Sequence, residues 1–178
     1  MCVYSDEAAR SGGKWSTMTG NPGDIVGPVL SAHQAHDTWQ GKVATVLSGE
    51  PTFHEGGRPW MLVDARDVAM AEILMAESGN IESGERFMLS SGDKIHPEDW
   101  GPRITELFPD YSGLPTVTEP AIGAEGQPPR NDPMWLRVYL RHDKVANATG
   151  FRFTSFDDTL SDMVTSLVEV GGVQPHSA

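Results

Sequence analysis

Three histidines and an aspartate lie near one another in the first third of the chain, and side chains of these types can bind a metal ion. His33, His36 and Asp37 are close in sequence, and His54 follows further along. The spacing His-x-x-His-Asp matches no standard zinc signature, and the surrounding segment has the composition of a loop. We therefore expect no metal site in this part of the chain.

A second group of charged residues, Asp64, Arg66 and Asp67, directly follows the apolar run Trp60–Val63. Carboxylates in such a position can transfer protons to or from a substrate. A structural interpretation competes with this one: Asp67 caps the N-terminus of a helix, and Arg66 pairs with the acids on either side of it. We favour the structural interpretation and assign no catalytic residue here.

The other side chains that could take part in catalysis or binding form weaker patterns. The sequence has no Gly-x-Ser-x-Gly turn for a serine nucleophile. The other acids near predicted turns and helix starts are interpreted as solvated surface: Glu55, Glu82, Glu85, Asp93, Glu98 and Asp99. The aromatic residues of the second half fit a substrate pocket and a core equally well (Trp100, Trp135, Tyr139). Core positions are expected for Trp60, Met61, Met70 and Met75.

The composition limits the classes of function. The 178 residues carry a formal net charge of −12, and an acidic surface repels both nucleic-acid phosphates and anionic membranes. Cys2 is the only cysteine, which excludes an intrachain disulfide and favours a reducing compartment. The sequence contains no signal-peptide pattern and no apolar run of about 18 residues. We expect a cytoplasmic protein that binds neither nucleic acid nor membrane.

The segment NPGDIVGP, residues 21–28, is the most constrained stretch of the first half. Two glycines and two prolines surround Ile25 and Val26. Proline fixes φ, and glycine lets the backbone approach a neighbour or a ligand closely. We therefore predict a sharply turned loop that leaves a strand.

Hydrophobic patterns predict strands that alternate with helices. The predicted strands are Lys14–Thr19, Trp60–Val63, Arg86–Ser90 and Phe151–Phe153. The predicted helices are Asp37–Ser48, Asp67–Ser78, Glu98–Phe108, Pro133–Tyr139, His142–Ala148 and Asp157–Val170. The first of them has an apolar face (Trp39, Val43, Val46 and Leu47) and the last an apolar stripe (Leu160, Met163, Val164 and Leu167). Gly150 is predicted to stop the helix His142–Ala148. Loops are predicted over residues 21–36 and 112–133, and a disordered tail over 174–178. The alternation predicts an α/β or α+β layered fold with fewer strands than a complete doubly wound domain.

Six motifs, taken in chain order, resemble the carboxyl-terminal half of the extended short-chain dehydrogenase/reductases. They are NPGDIVGP, VDARDVAMAEILMAE, GERFMLSS, ITELFPDY, DKVANATGFRF and TLSDMVTSLVEVGGV. The branch they resemble most holds the dihydroflavonol reductases, cinnamoyl-CoA reductases and NADPH-dependent aldehyde reductases. Thr149 stands where that branch usually has Leu. The resemblance covers roughly residues 5–173.

The resemblance implies an incomplete α/β fold: residues 1–173 form the carboxyl-terminal substrate lobe of an extended Rossmann-type reductase with residual strands of the parallel sheet. It implies an NAD(P)-dependent oxidoreductase lineage that reduces a ketone or aldehyde, with NADP or NAD as the cofactor of the complete enzyme. In that family the NPG-type loop lies beside the nicotinamide. This makes Pro22 and Gly23 candidate cofactor contacts, and Thr38 a candidate hydroxyl contact from the following segment.

The family's residues for phosphate binding and proton transfer have no counterpart here. No Gly-x-x-Gly-x-x-Gly is present; Val3 stands where the Lys of the family's Tyr-x-x-x-Lys is expected, and the Tyr falls ahead of Met1. We expect no catalytic residue and no cofactor bound by this chain alone. Expected partners are a small-molecule carbonyl substrate, and either a second copy or a separate Rossmann half. Two alternatives stay open: a nucleotide-sugar epimerase or dehydratase lobe, and a non-catalytic binding or interaction module.

Overall fold

A computed structural model describes residues 10–12, 15–36, 38–50, 59–96, 99–111, 113–115, 133 and 141–176. Its strands are β1 (Met18–Pro22), β2 (Asp24–Val26), β3 (Trp60–Asp64), β4 (Glu85–Leu89) and β5 (Lys94–Ile95). Its helices are a 3₁₀ helix (Ala32–His36), α1 (Thr38–Leu47), α2 (Ala65–Glu77), α3 (Trp100–Leu107), α4 (Asp143–Thr149) and α5 (Phe156–Glu169).

The strands form two small sheets. β1 pairs in parallel with β4; β2 pairs in parallel with β3, and β3 pairs antiparallel with β5. The chain crosses from the first sheet to the second at Gly23, which lies between β1 and β2. Parallel strands joined through helices confirm the predicted α/β class, in the form of a partial Rossmann-type fold.

The sheet of β1 and β4 packs against α2 and α4. Along β4, Phe87 and Leu89 are buried, whereas Arg86 is exposed and Met88 is half-buried, which is the period of two expected for a strand with one well-covered face. Ala71 and Met75 of α2 and Val145 of α4 complete this core. Completely buried apolar side chains of this kind contribute roughly 1.5–3 kcal/mol each, so this core holds β1 and β4 in place.

The second sheet lies in a larger core with α1, α3 and α5. All five residues of β3 are buried, as expected for a strand covered on both faces. The predicted apolar stripe of the last helix is confirmed, because four of its residues are 0% exposed: Leu160, Met163, Val164 and Leu167. The predicted face of α1 is also buried, at Val43, Val46 and Leu47.

Side chains and a glycine set the helix ends. Asp64 is the N-cap of α2 and accepts a hydrogen bond from the Arg66 backbone N–H at 2.8 Å. α4 ends at Gly150, which has φ of 76° and donates to the carbonyl of Ala146 at 2.7 Å, as predicted for a glycine stop. The prediction that Asp67 caps α2 is wrong, because β3 leads straight into the helix through Asp64.

Two predicted strands and one predicted loop need correction. The first strand is displaced: Trp15–Thr17 precede it, and it runs through Asn21 and Pro22. Residues 21–36 are not simply a loop, because β2 and the 3₁₀ helix lie within them. Phe151–Phe153 forms no strand; the rings of Phe151 and Phe153 pack edge to face at 5.1 Å and join the core of the first sheet.

The composition predicts a disordered tail over residues 174–178, but His176 of this tail packs against the end of α1. The backbone N–H of His176 donates to the carbonyl of Leu47 at 2.7 Å. Its ring lies beside Gly49 and Gly113, where an added Cβ would come within 3.1 Å and 3.4 Å of the imidazole. The residues outside the described part include 177–178, residues 112 and 116–132 of the loop predicted over 112–133, and all of the helix predicted over 133–139 except Pro133.

No helix in the described part of the chain is long and apolar enough to cross a membrane.

Candidate functional site

The segment from Asn21 to Gly27, called the strand-exit segment below, contains two of the three candidate cofactor contacts. Pro22 is the last residue of β1 and is exposed, and Gly23 follows it half-buried. In open α/β sheets, ligands bind outside the carboxyl ends of parallel strands. Pro22 and Gly23 therefore lie at the end of the sheet where such folds bind ligands.

Gly23 is required by the packing of the protein itself. Its N–H donates to the carbonyl of Leu89 at 3.0 Å, and a Cβ at this position would lie 2.1 Å from the carbonyl oxygen of Met61. The chain passes between the two sheets at this point, and no side chain fits there. The glycine thus has a structural reason that is independent of any ligand.

Asp24 and Gly27 attach the strand-exit segment to β3 and α2. Asp24 accepts a hydrogen bond from the backbone N–H of Met61 at 3.0 Å through Oδ2. Gly27 has φ of 129°, and a Cβ there would lie 3.1 Å from Oδ1 of Asp64. The role of Asp24 could not be predicted from the sequence, because an acid close to a glycine and a proline is typical of an ordinary turn.

The residues after the strand-exit segment are also held by hydrogen bonds. The N–H of Val29 donates to Oγ of Ser166 on α5 at 2.9 Å. The N–H groups of Leu30 and Ser31 both donate to Oε1 of Gln34, at 2.7 Å and 3.2 Å. The path from β1 to the 3₁₀ helix is therefore fixed by contacts with α5 and with the helix itself.

Asp64, Arg66 and Asp162 form a salt-bridge network at the N-terminus of α2. The Asp64 side chain is fully buried, and Arg66 donates to it through Nε at 2.9 Å and Nη2 at 2.7 Å. Arg66 Nη1 reaches Asp162 of α5 at 2.7 Å. Burial acts to raise the pKa of Asp64, but the hydrogen bonds and charge of Arg66 outweigh it, and the pKa lies below its ordinary value. The predicted ion pair of Arg66 with Asp64 is confirmed, and Asp162 is a second partner that the sequence did not indicate.

Asp67 joins α2 to the segment that precedes α5. Its carboxylate accepts hydrogen bonds from the backbone N–H of Thr154 at 2.6 Å and from the Thr154 hydroxyl at 2.9 Å. The residue is buried, so these bonds satisfy a charge that is costly to bury alone. The sequence pattern correctly predicts a structural role for Asp67 but gives the wrong partner.

The histidines and Thr38 lie around the start of α1. His33 and His36 are exposed residues of the 3₁₀ helix, and Thr38 is the first residue of α1. The side chain of Thr38, and all of Asp37 and His54, lie outside the described residues. Within the part of the chain that the structure describes, no three His, Cys, Asp or Glu side chains are grouped to hold a metal ion.

The aromatic candidates of the described region belong to the core. Trp100 is 1% exposed and its ring lies 5.4 Å from that of Trp60, which decides between core and pocket for this residue. Met61 and Met75 are buried as predicted. Met70 is 47% exposed on α2, so its predicted core position is wrong. Trp135 and Tyr139 lie outside the described residues.

A groove of about 910 Å³ runs along β4 and α4. Lys144 lies in it 3.1 Å from Glu85, and Arg141 pairs with Asp143 at 3.0 Å. The hydrogen bond from Arg141 lowers the pKa of Asp143. Because carboxylates of the same groove compensate two of its three cations, it has little excess positive charge for a dinucleotide phosphate.

Comparison with models of known protein families finds no match, and neither does comparison with curated protein sequences. Solved structures do match. Gre2 from Candida albicans aligns with a TM-score of 0.72 at 21% identity, over 95% of this chain and 49% of that one. Yeast methylglyoxal/isovaleraldehyde reductase Gre2, complexed with NADPH, aligns with a TM-score of 0.68 at 24% identity, over 93% and 50%.

A third match is the Bordetella bronchiseptica enzyme WbmF in complex with NADH, with a TM-score of 0.65 at 17% identity, over 93% of this chain and 49% of that one. This chain thus spans about half the length of the structures it matches. Similarity at such low identity establishes the fold alone, and this chain shares the fold of about half of each of these structures. This agrees with the incomplete α/β fold that the motifs implied. Of the matched structures, one was solved with NADPH and one with NADH.

Proposed function

We propose that this chain is the substrate lobe of an NAD(P)-dependent oxidoreductase that reduces a ketone or an aldehyde. The observation that supports this is the strand-exit segment: a parallel strand ends at Pro22, in a fold shared with a reductase solved with NADPH. The bound cofactor supplies the hydride, and the protein supplies orientation.

Pro22 and Gly23 are the proposed contacts on the nicotinamide side. Pro22 is exposed, so its ring is available to a ligand, whereas the N–H of Gly23 is already bonded to Leu89. A contact at Gly23 therefore uses its carbonyl or its Cα. Thr38 is the proposed hydroxyl contact, since α1 begins shortly after the strand-exit segment.

The chain alone is proposed to bind no dinucleotide tightly and to transfer no hydride. A pyrophosphate site needs backbone N–H groups at a helix N-terminus behind a Gly-rich turn, and the sequence has no such pattern. Carbonyl reduction also needs a proton donor beside the substrate oxygen. The ring of Tyr111 is stacked on the ring of Phe108, with 5.4 Å between their centroids. We therefore assign Tyr111 a packing role and do not propose it as the proton donor.

A nucleotide-sugar epimerase or dehydratase lobe is the second candidate. One matched structure, WbmF, was solved with NAD+ and UDP. The reductase assignment is favoured by the Phe-Pro-x-Tyr turn, in which Tyr111 N–H donates to the Phe108 carbonyl at 2.9 Å. The two candidates differ in the molecule that the lobe accepts.

The test is a substrate panel on a fusion. The half of the Candida albicans Gre2 chain that this chain does not cover is joined to Met1 through a flexible linker, and NADPH consumption is followed optically. We expect turnover of ketones or aldehydes and none of UDP-sugars. Pro22→Ala should raise the KM for NADPH, while Pro109→Ala, an exposed proline in a distant turn, should not. Turnover of a UDP-sugar without turnover of any ketone or aldehyde would favour the epimerase or dehydratase lobe over the reductase lobe.

A further inference from the structure

The residues that follow α5, called the C-terminal strap below (residues 172–176), contact the 3₁₀ helix at one end and α1 at the other. At Gly172, an added Cβ would come within 2.7 Å of the Cβ of Ala35, a buried residue of the 3₁₀ helix. The N–H of Gly172 donates to the carbonyl of Leu167 on α5 at 2.9 Å. No side chain fits between the strap and the 3₁₀ helix at this point, so the two are in direct contact.

The other end of the strap completes the C-terminus of α1. The last four carbonyls of a helix have no partner within the helix. Three of those of α1 accept from the residues that follow it: Ala44 from Ser48, Thr45 from Glu50 and Val46 from Gly49. The fourth, that of Leu47, accepts from the N–H of His176 at 2.7 Å. Between its two ends the strap packs Val173 against the larger core.

Together, α5 and the strap hold the 3₁₀ helix and α1 at three points. The N–H of Val29, just before the 3₁₀ helix, donates to Oγ of Ser166 on α5 at 2.9 Å. The strap adds the contact at Ala35 and the hydrogen bond at Leu47. α1 begins at Thr38, between these last two points. The position of the Thr38 backbone therefore depends on where the strap packs.

We propose that the C-terminal strap is a positioning element that sets the place of Thr38 beside the strand-exit segment. The role of Thr38 as a hydroxyl contact of the cofactor rests on the proposed function, whereas the attachment of α1 to the strap does not. A strap that only added stability would change the unfolding of the chain and leave the binding of the cofactor as it is. A measurement of KM for NADPH therefore separates the two roles.

Two truncations test the attachment in the isolated chain by amide hydrogen exchange. A chain that ends at Gln174 loses the hydrogen bond from His176 to Leu47, whereas a chain that ends at His176 keeps it. We expect the amides of residues 48–50, which donate to α1, to exchange about fivefold faster or more in the shorter chain, the factor that corresponds to one lost hydrogen bond. The amides of α2, which packs in the other core, should be unchanged in both. Equal exchange at residues 48–50 in the two chains would overturn the proposal.

A pair of glycine variants tests the effect on the cofactor in the fusion to the Gre2 half. Gly172→Ala forces the strap and Ala35 apart, and we expect it to raise the KM for NADPH by about fivefold, as for the loss of one hydrogen bond. The fusion truncated after Gln174 should show a similar rise. Gly171→Ala is the matched control: an added Cβ there meets nothing within 4 Å, so it costs only the strain of a left-handed backbone and should leave this KM unchanged.

A double-variant measurement shows whether the strap acts through Thr38. In a Thr38→Ala fusion, Gly172→Ala should cause no further rise in KM. An equally large rise without the Thr38 hydroxyl, or lower thermal stability with an unchanged KM, would refute the proposal. A fusion that reduces no carbonyl compound would contradict the proposed function, and the exchange of residues 48–50 would still decide whether the strap holds α1.

Discussion

Gly23→Ala should strongly destabilise the chain, although it adds only one methyl group. The new Cβ would lie 2.1 Å from the carbonyl oxygen of Met61 and 3.2 Å from its carbonyl carbon. Both atoms are backbone of β3, a strand buried at every position. No side-chain rotation can relieve this clash, so one of the two sheets has to move.

The magnitude follows from two costs. Overpacking a well-packed site costs about 1–3 kcal/mol, and moving Gly23 away from β3 weakens its hydrogen bond to Leu89, which adds about 1 kcal/mol. We expect a loss of about 2–4 kcal/mol, a large share of the roughly 5–15 kcal/mol typical of a folded domain.

Urea unfolding followed by circular dichroism measures this loss. The matched control is Gly79→Ala, because an added Cβ at Gly79 meets nothing within 4 Å; it should change stability by less than about 1 kcal/mol. If the Gly23→Ala variant unfolds at the same urea concentration as the Gly79→Ala variant, Gly23 does not pack against the backbone of β3 as described.

Two further predictions concern the buried carboxylates. Asp64→Asn should lower the unfolding free energy at pH 7 by about 2 kcal/mol. Arg66 keeps the pKa of Asp64 below its ordinary value in the folded chain. The stabilisation by the Asp64 carboxylate is therefore present above the unfolded pKa near 4 and is lost as pH falls through the folded pKa. The difference between Asp64→Asn and the unsubstituted chain should therefore shrink in denaturation curves below about pH 4, and a constant difference down to pH 2 would contradict the charge-based account. Thr154→Val should cost about 1 kcal/mol by removing one hydrogen bond to Asp67, while Thr154→Ser, which keeps the hydroxyl, should cost less; equal losses in thermal unfolding would assign the effect to packing.

Strong local patterns predicted the elements that depend on them. The apolar stripe of α5 and the glycine stop of α4 follow from short-range periodicity and backbone freedom, and the structure confirms both. The buried strand Trp60–Val63 was also predicted, since a bounded apolar run next to a helix start has few other uses. Motif order gave the fold class through its resemblance to a known family.

Features that depend on distant partners could not be predicted. The sequence of the strand-exit segment predicts a loop, because its two glycines and its proline are turn formers. In the structure, Gly23 lets β1 and β2 belong to different sheets. Asp24 and Asp67 gain their roles from Met61 and Thr154, which lie far away in sequence. Met70 has the residue type of a core position but sits on the exposed side of α2.

Calorimetric titration of the isolated 178-residue chain with NADPH and NADH tests the central claim most directly. In the proposed function, this chain supplies the nicotinamide side of the site and does not supply the phosphate-binding side. We therefore expect no measurable heat of binding at micromolar concentrations of either dinucleotide. A dissociation constant of about 1 μM, equivalent to about −8 kcal/mol, would contradict it and would mean that this chain contains a complete cofactor site.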